Sequence, residues 1–276
     1  MGRIEEKFKV LKEKGEKALV IYLTAGYPSL NATREFIFAL ERAGVDIIEL
    51  GVPFSDPTAD GPIIQAASQK ALKEGTTLET VLDLVSEVRR TSEIPIVLFG
   101  YYNPIFAYGN ERFAERAFAA GLDGVLVVDL PFEEAQELRC FTDSKGIDYI
   151  SLVAPTTGER RIRKITKAST GFLYFVSVTG VTGTLKPVFE DIRRGVDQIR
   201  KVSSLPVVVG FGISNPAQAA EIASLGDGIV VGSAFIKEIS EGHGKNDLAK
   251  RISTFANNLK NSMVAGFKPL AFPEVR

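Results

Sequence analysis

Two carboxylates, Glu49 and Asp60, are the residues of this 276-residue chain that are best placed for acid–base chemistry. Glu49 lies near the end of the apolar run 46–51, which is typical of a strand. Apolar surroundings raise the pKa of a carboxyl group toward neutrality, so Glu49 could hold a proton and deliver it as a general acid. Asp60 lies in the proline-broken loop 53–62, where partial solvation would keep it ionised. Two such groups can divide the acid and base roles between them.

Each carboxylate also has a purely structural interpretation. Glu49 could be paired with a lysine or an arginine, because a lone buried charge is costly. Asp60 could cap the helix that is predicted to begin just after it. His243 is the only histidine and Cys140 the only cysteine, so histidine triads and multi-cysteine metal sites have almost nothing to build on. We therefore expect carboxylates, tyrosines or lysines to do any acid–base work, and we expect no metal.

Glycine-rich turns follow three of the later apolar runs, at residues 179–183, 210–212 and 232–233. Backbone N–H groups of glycines can approach an anion closely, and a helix beginning at Ser233 would add the positive end of its dipole. Few lysines or arginines accompany these turns, so we expect main-chain amides to hold a phosphate group. The alternative is that the glycines serve only tight turns.

Aromatic and apolar side chains recur near the predicted strand ends. Flat rings of this kind could enclose an aromatic substrate, although aromatic residues at strand ends are more often simple core. The set is Tyr22, Phe99, Tyr101, Leu126, Tyr174 and Phe211. By themselves these residues favour an aromatic ligand less strongly than the glycine turns favour an anion.

The elements that must position these groups alternate along the chain. Eight short apolar runs are each followed by a helical period, which is the pattern of parallel βαβ units. The runs are residues 18–23, 46–51, 95–99, 124–129, 149–153, 172–177, 206–209 and 228–231. We predict an α/β fold, a single (β/α)8 TIM barrel over residues 1–276, with an extra amphipathic helix at 3–14 that closes its amino-terminal end. An open doubly wound sheet is the competing topology, because periodicity alone does not reveal closure.

Helix signals between the runs agree with this count. Thr76 and Glu79 have the spacing of a capping box ahead of the apolar stripe 78–88. Asn215 followed by Pro216 is typical of an N-cap with a proline in the first turn. The sequence therefore predicts helix starts at both places.

The charge balance excludes several classes of protein. Lys plus Arg number 33 and Asp plus Glu number 34, so the net charge of -1 provides no field for nucleic acid or an anionic membrane. No apolar run reaches the roughly 18 residues of a membrane span, and the amino-terminal stretch has no signal-peptide core. We expect a soluble, cytoplasmic protein with small or specific partners.

These features together closely resemble the tryptophan synthase alpha family. The matching segments occur in the family's order, and they are residues 49–62, 180–183, 210–214 and 231–233. The first segment, ELGVPFSDPTADGP, is highly specific. The resemblance extends from about residue 18 to residue 233, and it implies the family's reaction, the retro-aldol cleavage of indole-3-glycerol phosphate to indole and glyceraldehyde 3-phosphate.

The resemblance also implies roles for the matching residues. Glu49 would protonate C3 of the indole and then act as base toward the side-chain hydroxyl, while Asp60 would act at the ring N–H. Tyr174 would help to orient the substrate, and Thr182 would bond the aspartate of the loop after the second strand on closure. The phosphate would rest on the N–H groups of Gly183, Gly212, Gly232 and Ser233.

The partners follow from the same resemblance. The family's alpha chain needs no cofactor of its own and joins a pyridoxal-phosphate beta subunit in an α2β2 assembly. Asp56 and the pair Asn103-Pro104 fall where the family contacts that subunit, although ordinary solvation explains Asn103 equally well. Two alternatives stay open. One is a stand-alone indole-3-glycerol-phosphate lyase that releases free indole, and the other is a non-catalytic, phosphate-binding regulatory subunit.

Overall fold

A ring of parallel strands forms the centre of the computed structural model, which describes residues 2–176, 185–210, 212–242 and 247–264, with only the backbone at 185–188. The strands are β1 (Ala18–Thr24), β2 (Ile47–Gly51), β3 (Ile96–Gly100), β4 (Gly124–Val127), β5 (Asp148–Tyr149), β6 (Ser151–Val153), β7 (Leu173–Val176), β8 (Val207–Gly210) and β9 (Gly228–Val231). Their order in the sheet is β5-β4-β3-β2-β1-β9-β8-β7-β6.

The ring closes at Ile150, which lies between β5 and β6. β5 pairs with β4, whereas β6 pairs with β7. The Ile150 N–H donates to the carbonyl oxygen of Val125 at 2.9 Å, so one extended segment joins both ends of the sheet. The predicted fifth strand is therefore a single run with a break at Ile150. The barrel is confirmed over the open sheet, and β4 ends at Val127 rather than at the predicted Asp129.

Twelve α-helices are described; α1 precedes the first strand, and the others follow the strands on the outside of the barrel. They are α1 (Arg3–Lys14), α2 (Leu30–Arg42), α3 (Pro62–Lys73), α4 (Leu78–Arg89), α5 (Tyr102–Tyr108), α6 (Asn110–Ala120), α7 (Gln136–Thr142), α8 (Glu159–Ala168), α9 (Leu185–Arg200), α10 (Pro216–Ala223), α11 (Ser233–Gly242) and α12 (Leu248–Ser262). Within the described part of the chain, no helix is long and apolar enough to cross a membrane.

The two predicted helix caps have different outcomes. Asn215 caps α10, since its side chain accepts from the N–H of Gln218, as predicted. The capping box of α4 is formed by Thr77 and Thr80, so the prediction of Thr76 was wrong by one residue. Thr76 is buried instead against the backbone of Gly26, where it is unavailable for capping.

The strands are apolar on both faces, as a covered barrel requires. In β1, for example, Leu19 and Ile21 belong to the core between strands and helices, whereas Val20 belongs to the cluster inside the barrel. This alternation lets the inward positions near the strand ends carry polar groups without disturbing the outer core.

The first helix closes the amino-terminal end of the barrel. Ile4, Phe8 and Leu11 are buried on one face of α1 and pack on inward-facing residues of the strands. The ring centroids of Phe8 and Phe172 lie 5.7 Å apart, and a Cβ on Gly124 would lie 3.2 Å from Cδ1 of Ile4. Since Gly124 is the first residue of β4, the helix covers the strand starts and leaves the opposite end open.

Candidate active site

A cavity of about 600 Å³ opens at the carboxyl-terminal end of the barrel. Both predicted carboxylates line it. The other lining residues are Tyr22, Ala59, Gly61, Ile63, Ile64, Phe99, Val128, Leu152, Tyr174, Val176, Gly210, Gly212, Ile213, Ser214, Val230, Gly232, Ser233, Ala234 and Lys237. The fold places active sites at this end, because the strand ends and the following loops meet there.

Two strand glycines make room for the tyrosines of the cavity. A Cβ on Gly51 would lie 2.3 Å from the hydroxyl oxygen of Tyr22, on the neighbouring strand β1. A Cβ on Gly210 would lie 2.4 Å from Cε1 of Tyr174, on the neighbouring strand β7. Both tyrosine rings therefore turn into the barrel because the facing position carries no side chain.

Glu49 is a buried acid in an apolar part of the cavity. The residue is only 1% exposed, and its Oε1 has no hydrogen-bond partner among the described residues. Burial raises the pKa of the Glu49 carboxyl to about 8, because the apolar surroundings penalise the charged form. No lysine or arginine of the described chain pairs with it, so the salt-bridge alternative is wrong for this part of the molecule. The carboxyl therefore holds its proton near neutral pH.

Asp60 is half-buried and hydrogen-bonded. Burial raises the pKa of its carboxyl above the usual range, and a hydrogen bond from the Tyr101 hydroxyl opposes that rise. The same hydroxyl accepts the N–H of Ala59 at 2.9 Å, so Tyr101 ties this part of the loop to the barrel. Asp60 does not cap α3, whose N-cap is Gly61 without a side-chain bond, so the capping alternative is wrong. The two carboxyls thus share one cavity in different environments.

Residues of two turns line the same cavity. Gly212 follows β8, and a Cβ built on it would meet nothing within 4 Å, so open space lies over its backbone. Gly232 and Ser233 follow β9, and Ser233 is the first residue of α11. The first N–H groups of a helix have no intrahelical acceptor and lie at the positive end of its dipole. This corner of the cavity is therefore suited to an anion.

The remaining predicted residues have varied positions. Leu126 packs with α1 in the cluster inside the barrel and is not among the residues that line the cavity, because it lies two positions before Val128 on the same face of the chain. Tyr101 is 3% exposed and contributes through its hydroxyl rather than by lining the cavity. Thr182, Gly183 and Phe211 lie outside the described residues.

The predicted partner contacts lie in two loops at the carboxyl-terminal end of the barrel. Asp56 is exposed in the segment between β2 and α3, which also contains Asp60. Asn103 is exposed and Pro104 half-buried in α5, directly after β3. Their accessibility is compatible with the predicted interface.

Sequence reasoning missed several lining residues. Leu152 could have been found from the strand period, since it lies two positions from the inward-facing Ile150. Lys237 could have been found from the helix period, since it lies four positions after Ser233. Nothing local marks Ile64, which reaches the cavity from α3.

Comparison with known proteins agrees with the geometry. The chain matches the family model described as tryptophan synthase alpha chain over residues 8–264. It is 53% identical over 265 residues to the tryptophan synthase alpha chain of Geotalea daltonii, which covers 96% of this chain and 100% of the relative. The corresponding protein of Citrifermentans bemidjiense is 52% identical over 266 residues, covering 96% of this chain and 99% of the relative.

Solved structures of tryptophan synthase also share this fold. The fold superposes on tryptophan synthase subunit alpha from Legionella pneumophila with a TM-score of 0.89 and 37% identity, over 95% of this chain and 98% of the other. A chain of tryptophan synthase from M. tuberculosis superposes with a TM-score of 0.86 and 33% identity, over 95% and 99% of the two chains. This chain therefore belongs to the tryptophan synthase alpha chain family.

Proposed function

We propose that the cavity between Glu49 and Asp60 is where this chain cleaves indole-3-glycerol phosphate to indole and glyceraldehyde 3-phosphate. Membership of the family makes the chain a lyase of tryptophan biosynthesis. The observation that carries the assignment of the site is Glu49, a protonated acid that has no ion-pair partner among the described residues and lines the same cavity as Asp60. A buried acid kept neutral in this way is suited to deliver a proton.

The roles of the two carboxyls follow from the chemistry of the substrate. Glu49 gives its proton to C3 of the indole, which becomes an indoleninium cation. Asp60 accepts a hydrogen bond from the ring N–H and stabilises the positive charge. The Glu49 carboxylate then takes the proton of the side-chain hydroxyl, the carbon–carbon bond breaks to leave an aldehyde, and its electron pair restores the indole. Glu49 is thereby returned to its protonated form.

The walls of the cavity support this sequence of steps. The rings of Tyr22 and Phe99 are packed edge to face, with centroids 5.2 Å apart, beside the two acids. Aromatic faces attract a cation, and an apolar cavity strengthens the interaction between the cation and the Asp60 carboxylate. The phosphate lies on the amides of Gly212, Gly232 and Ser233, which line the same cavity.

The test of this function is indole release from the purified protein. We expect Glu49→Gln to lower kcat by about a thousandfold, the order of a lost general acid. Asp60→Asn should lower kcat as well, because the cation loses its counter-charge. Both variants should still bind glycerol 3-phosphate, whereas Glu115→Gln, on the exposed face of α6, should turn over normally. Near-normal turnover in Glu49→Gln would remove Glu49 from the proposed role.

We also propose that the chain acts with a pyridoxal-phosphate beta subunit in an α2β2 assembly in the cytoplasm, and that it carries no cofactor itself. Similarity to a chain of the M. tuberculosis tryptophan synthase and the exposure of Asp56 and Asn103 support this partnership. Adding a beta subunit to the assay discriminates between the alternatives. Strong activation supports the synthase, full activity alone supports a stand-alone lyase, and no indole in either case supports a regulatory subunit.

A further inference from the structure

Lys237 is the single positively charged residue among the described residues that line the cavity. It lies four residues after Ser233 in α11, so the two side chains emerge from the same face of the helix, one turn apart. The cavity is marked as a ligand site independently of this helix, because Glu49 lines it and the buried Oε1 of Glu49 has no hydrogen-bond partner among the described residues. Lys237 thus lines the same cavity as the first residues of α11 and the turn at Gly212.

Among the described residues, the charge of Lys237 is only weakly engaged. Its Nζ lies 3.8 Å from Oε1 of Glu241, and the side chain is 62% exposed. Exposed pairs of this kind contribute little to stability. Glu241 also accepts from Arg251 at 3.1 Å, and Arg251 holds Glu238 at 2.6 Å. An anion in the cavity could therefore engage Lys237 without breaking a buried ion pair.

A phosphate group bound in the cavity would require a positive charge beyond that of the helix end. A phosphate monoester carries close to two negative charges at neutral pH, and a helix amino terminus supplies only about half a positive charge. Asp60 adds a carboxylate to the same cavity and repels the phosphate. Main-chain amides can orient the phosphate, but they leave most of its charge uncompensated.

We propose that Lys237 binds the phosphate group of the substrate from the solvent side, while the amides of Gly232 and Ser233 hold it from the helix end. Lys237 thereby selects phosphorylated over unphosphorylated ligands. This inference rests on the proposed function, because it takes the cavity to be the site of a phosphorylated substrate. It adds a side-chain cation to a cradle that the sequence predicted to consist of amides alone.

The experiment compares Lys237→Gln with wild type at low ionic strength, using glycerol 3-phosphate and indole as separate probes. We expect the Kd of glycerol 3-phosphate and the KM of indole-3-glycerol phosphate to rise about fivefold, as for loss of one partly exposed charge-assisted bond. The Kd of indole and the kcat should stay unchanged, because the lysine lies away from the reacting atoms. Lys237→Arg should restore most of the affinity, since it keeps the charge.

Controls separate the local effect from a change in net charge. Lys250→Gln removes the same charge from the exposed surface of α12 and should bind glycerol 3-phosphate like wild type. The difference between Lys237→Gln and wild type should also shrink in high salt, because salt screens an exposed charge. Equal Kd values of Lys237→Gln and wild type for glycerol 3-phosphate at low ionic strength would overturn the assignment of Lys237. Wild-type protein that binds no glycerol 3-phosphate and releases no indole would instead overturn the proposed function, and this inference with it.

Discussion

Glu49 shows at the scale of a single residue how burial couples chemistry to stability. Its pKa is about 8 in the folded chain, against an ordinary value of 4.5. Between these two pH values the folded chain holds a proton that the unfolded chain has released. The free energy of unfolding therefore falls as the pH rises through this window and levels off above it. The property that makes Glu49 an acid at neutral pH also destabilises the protein in alkali.

Glu49→Gln removes this titration, and the pH dependence of stability should change accordingly. We expect the free energy of unfolding of the variant, relative to wild type, to rise by about 3 to 5 kcal/mol between about pH 5 and about pH 9. Urea denaturation at several pH values measures it. Glu115→Gln, which changes an exposed glutamate, should follow the wild-type curve. If the Glu49→Gln and wild-type curves ran parallel, the raised pKa of Glu49 would be refuted.

At the scale of the elements, neighbouring strands divide the barrel interior between large side chains and glycines. Tyr174 on β7 occupies the space over Gly210 of β8, and Tyr22 on β1 occupies the space over Gly51 of β2. The loop between β2 and α3 is held in turn by Tyr101, whose ring packs on Phe54 at a centroid distance of 5.2 Å. The shape of the cavity around the two acids thus depends on contacts between residues on different strands and loops.

Gly210→Ala should disturb the cavity through Tyr174. The new methyl group would overlap the tyrosine ring, so we expect a loss of about 1 to 3 kcal/mol of stability together with weaker substrate binding. Denaturation and the KM for indole-3-glycerol phosphate measure the two effects. Gly100→Ala is the matched control at the end of β3, since its Cβ would meet only ordinary contacts, the nearest at 3.6 Å on Val52. A Gly210→Ala variant as stable as Gly100→Ala would contradict this account.

At the scale of the whole molecule, the residues that stabilise the barrel and those that line the cavity lie at opposite ends. The amino-terminal end is filled by α1 and the cluster inside the barrel, while the carboxyl-terminal end is left open for the cavity. Arg3 and Arg89 both bond the buried Asp123 at the amino-terminal end and tie α1 to the barrel. Changes at that end should therefore alter the free energy of unfolding without changing the chemistry.

Phe8→Ala tests this separation. Removing a buried ring that packs on Phe172 should cost about 3 to 4 kcal/mol of stability. The kcat of the folded variant should remain close to wild type at a temperature well below its Tm. Lys9→Ala, on the exposed face of α1, should leave both quantities unchanged. A large loss of kcat in folded Phe8→Ala would show that the two ends of the barrel are coupled.

The sequence by itself determined the order of strands and helices, the first helix and the two acids, because these depend on local patterns. Apolar periodicity is visible in short windows, and Glu49 is conspicuous as a charge inside an apolar strand. The family followed from the segment 49–62 and was confirmed by comparison. The roles of individual residues in binding and catalysis stay predictions.

Only the tertiary structure decided which groups meet. Closure of the ring at Ile150, the absence of a partner for Oε1 of Glu49 among the described residues, and the position of Lys237 beside the cavity all depend on contacts between distant segments. Leu126 is an example of a residue whose depth the sequence did not predict. The strand period predicted that it faces inward, but not that it lies below the cavity. A strand period reports the face of a residue, whereas its depth in the barrel depends on the register with neighbouring strands.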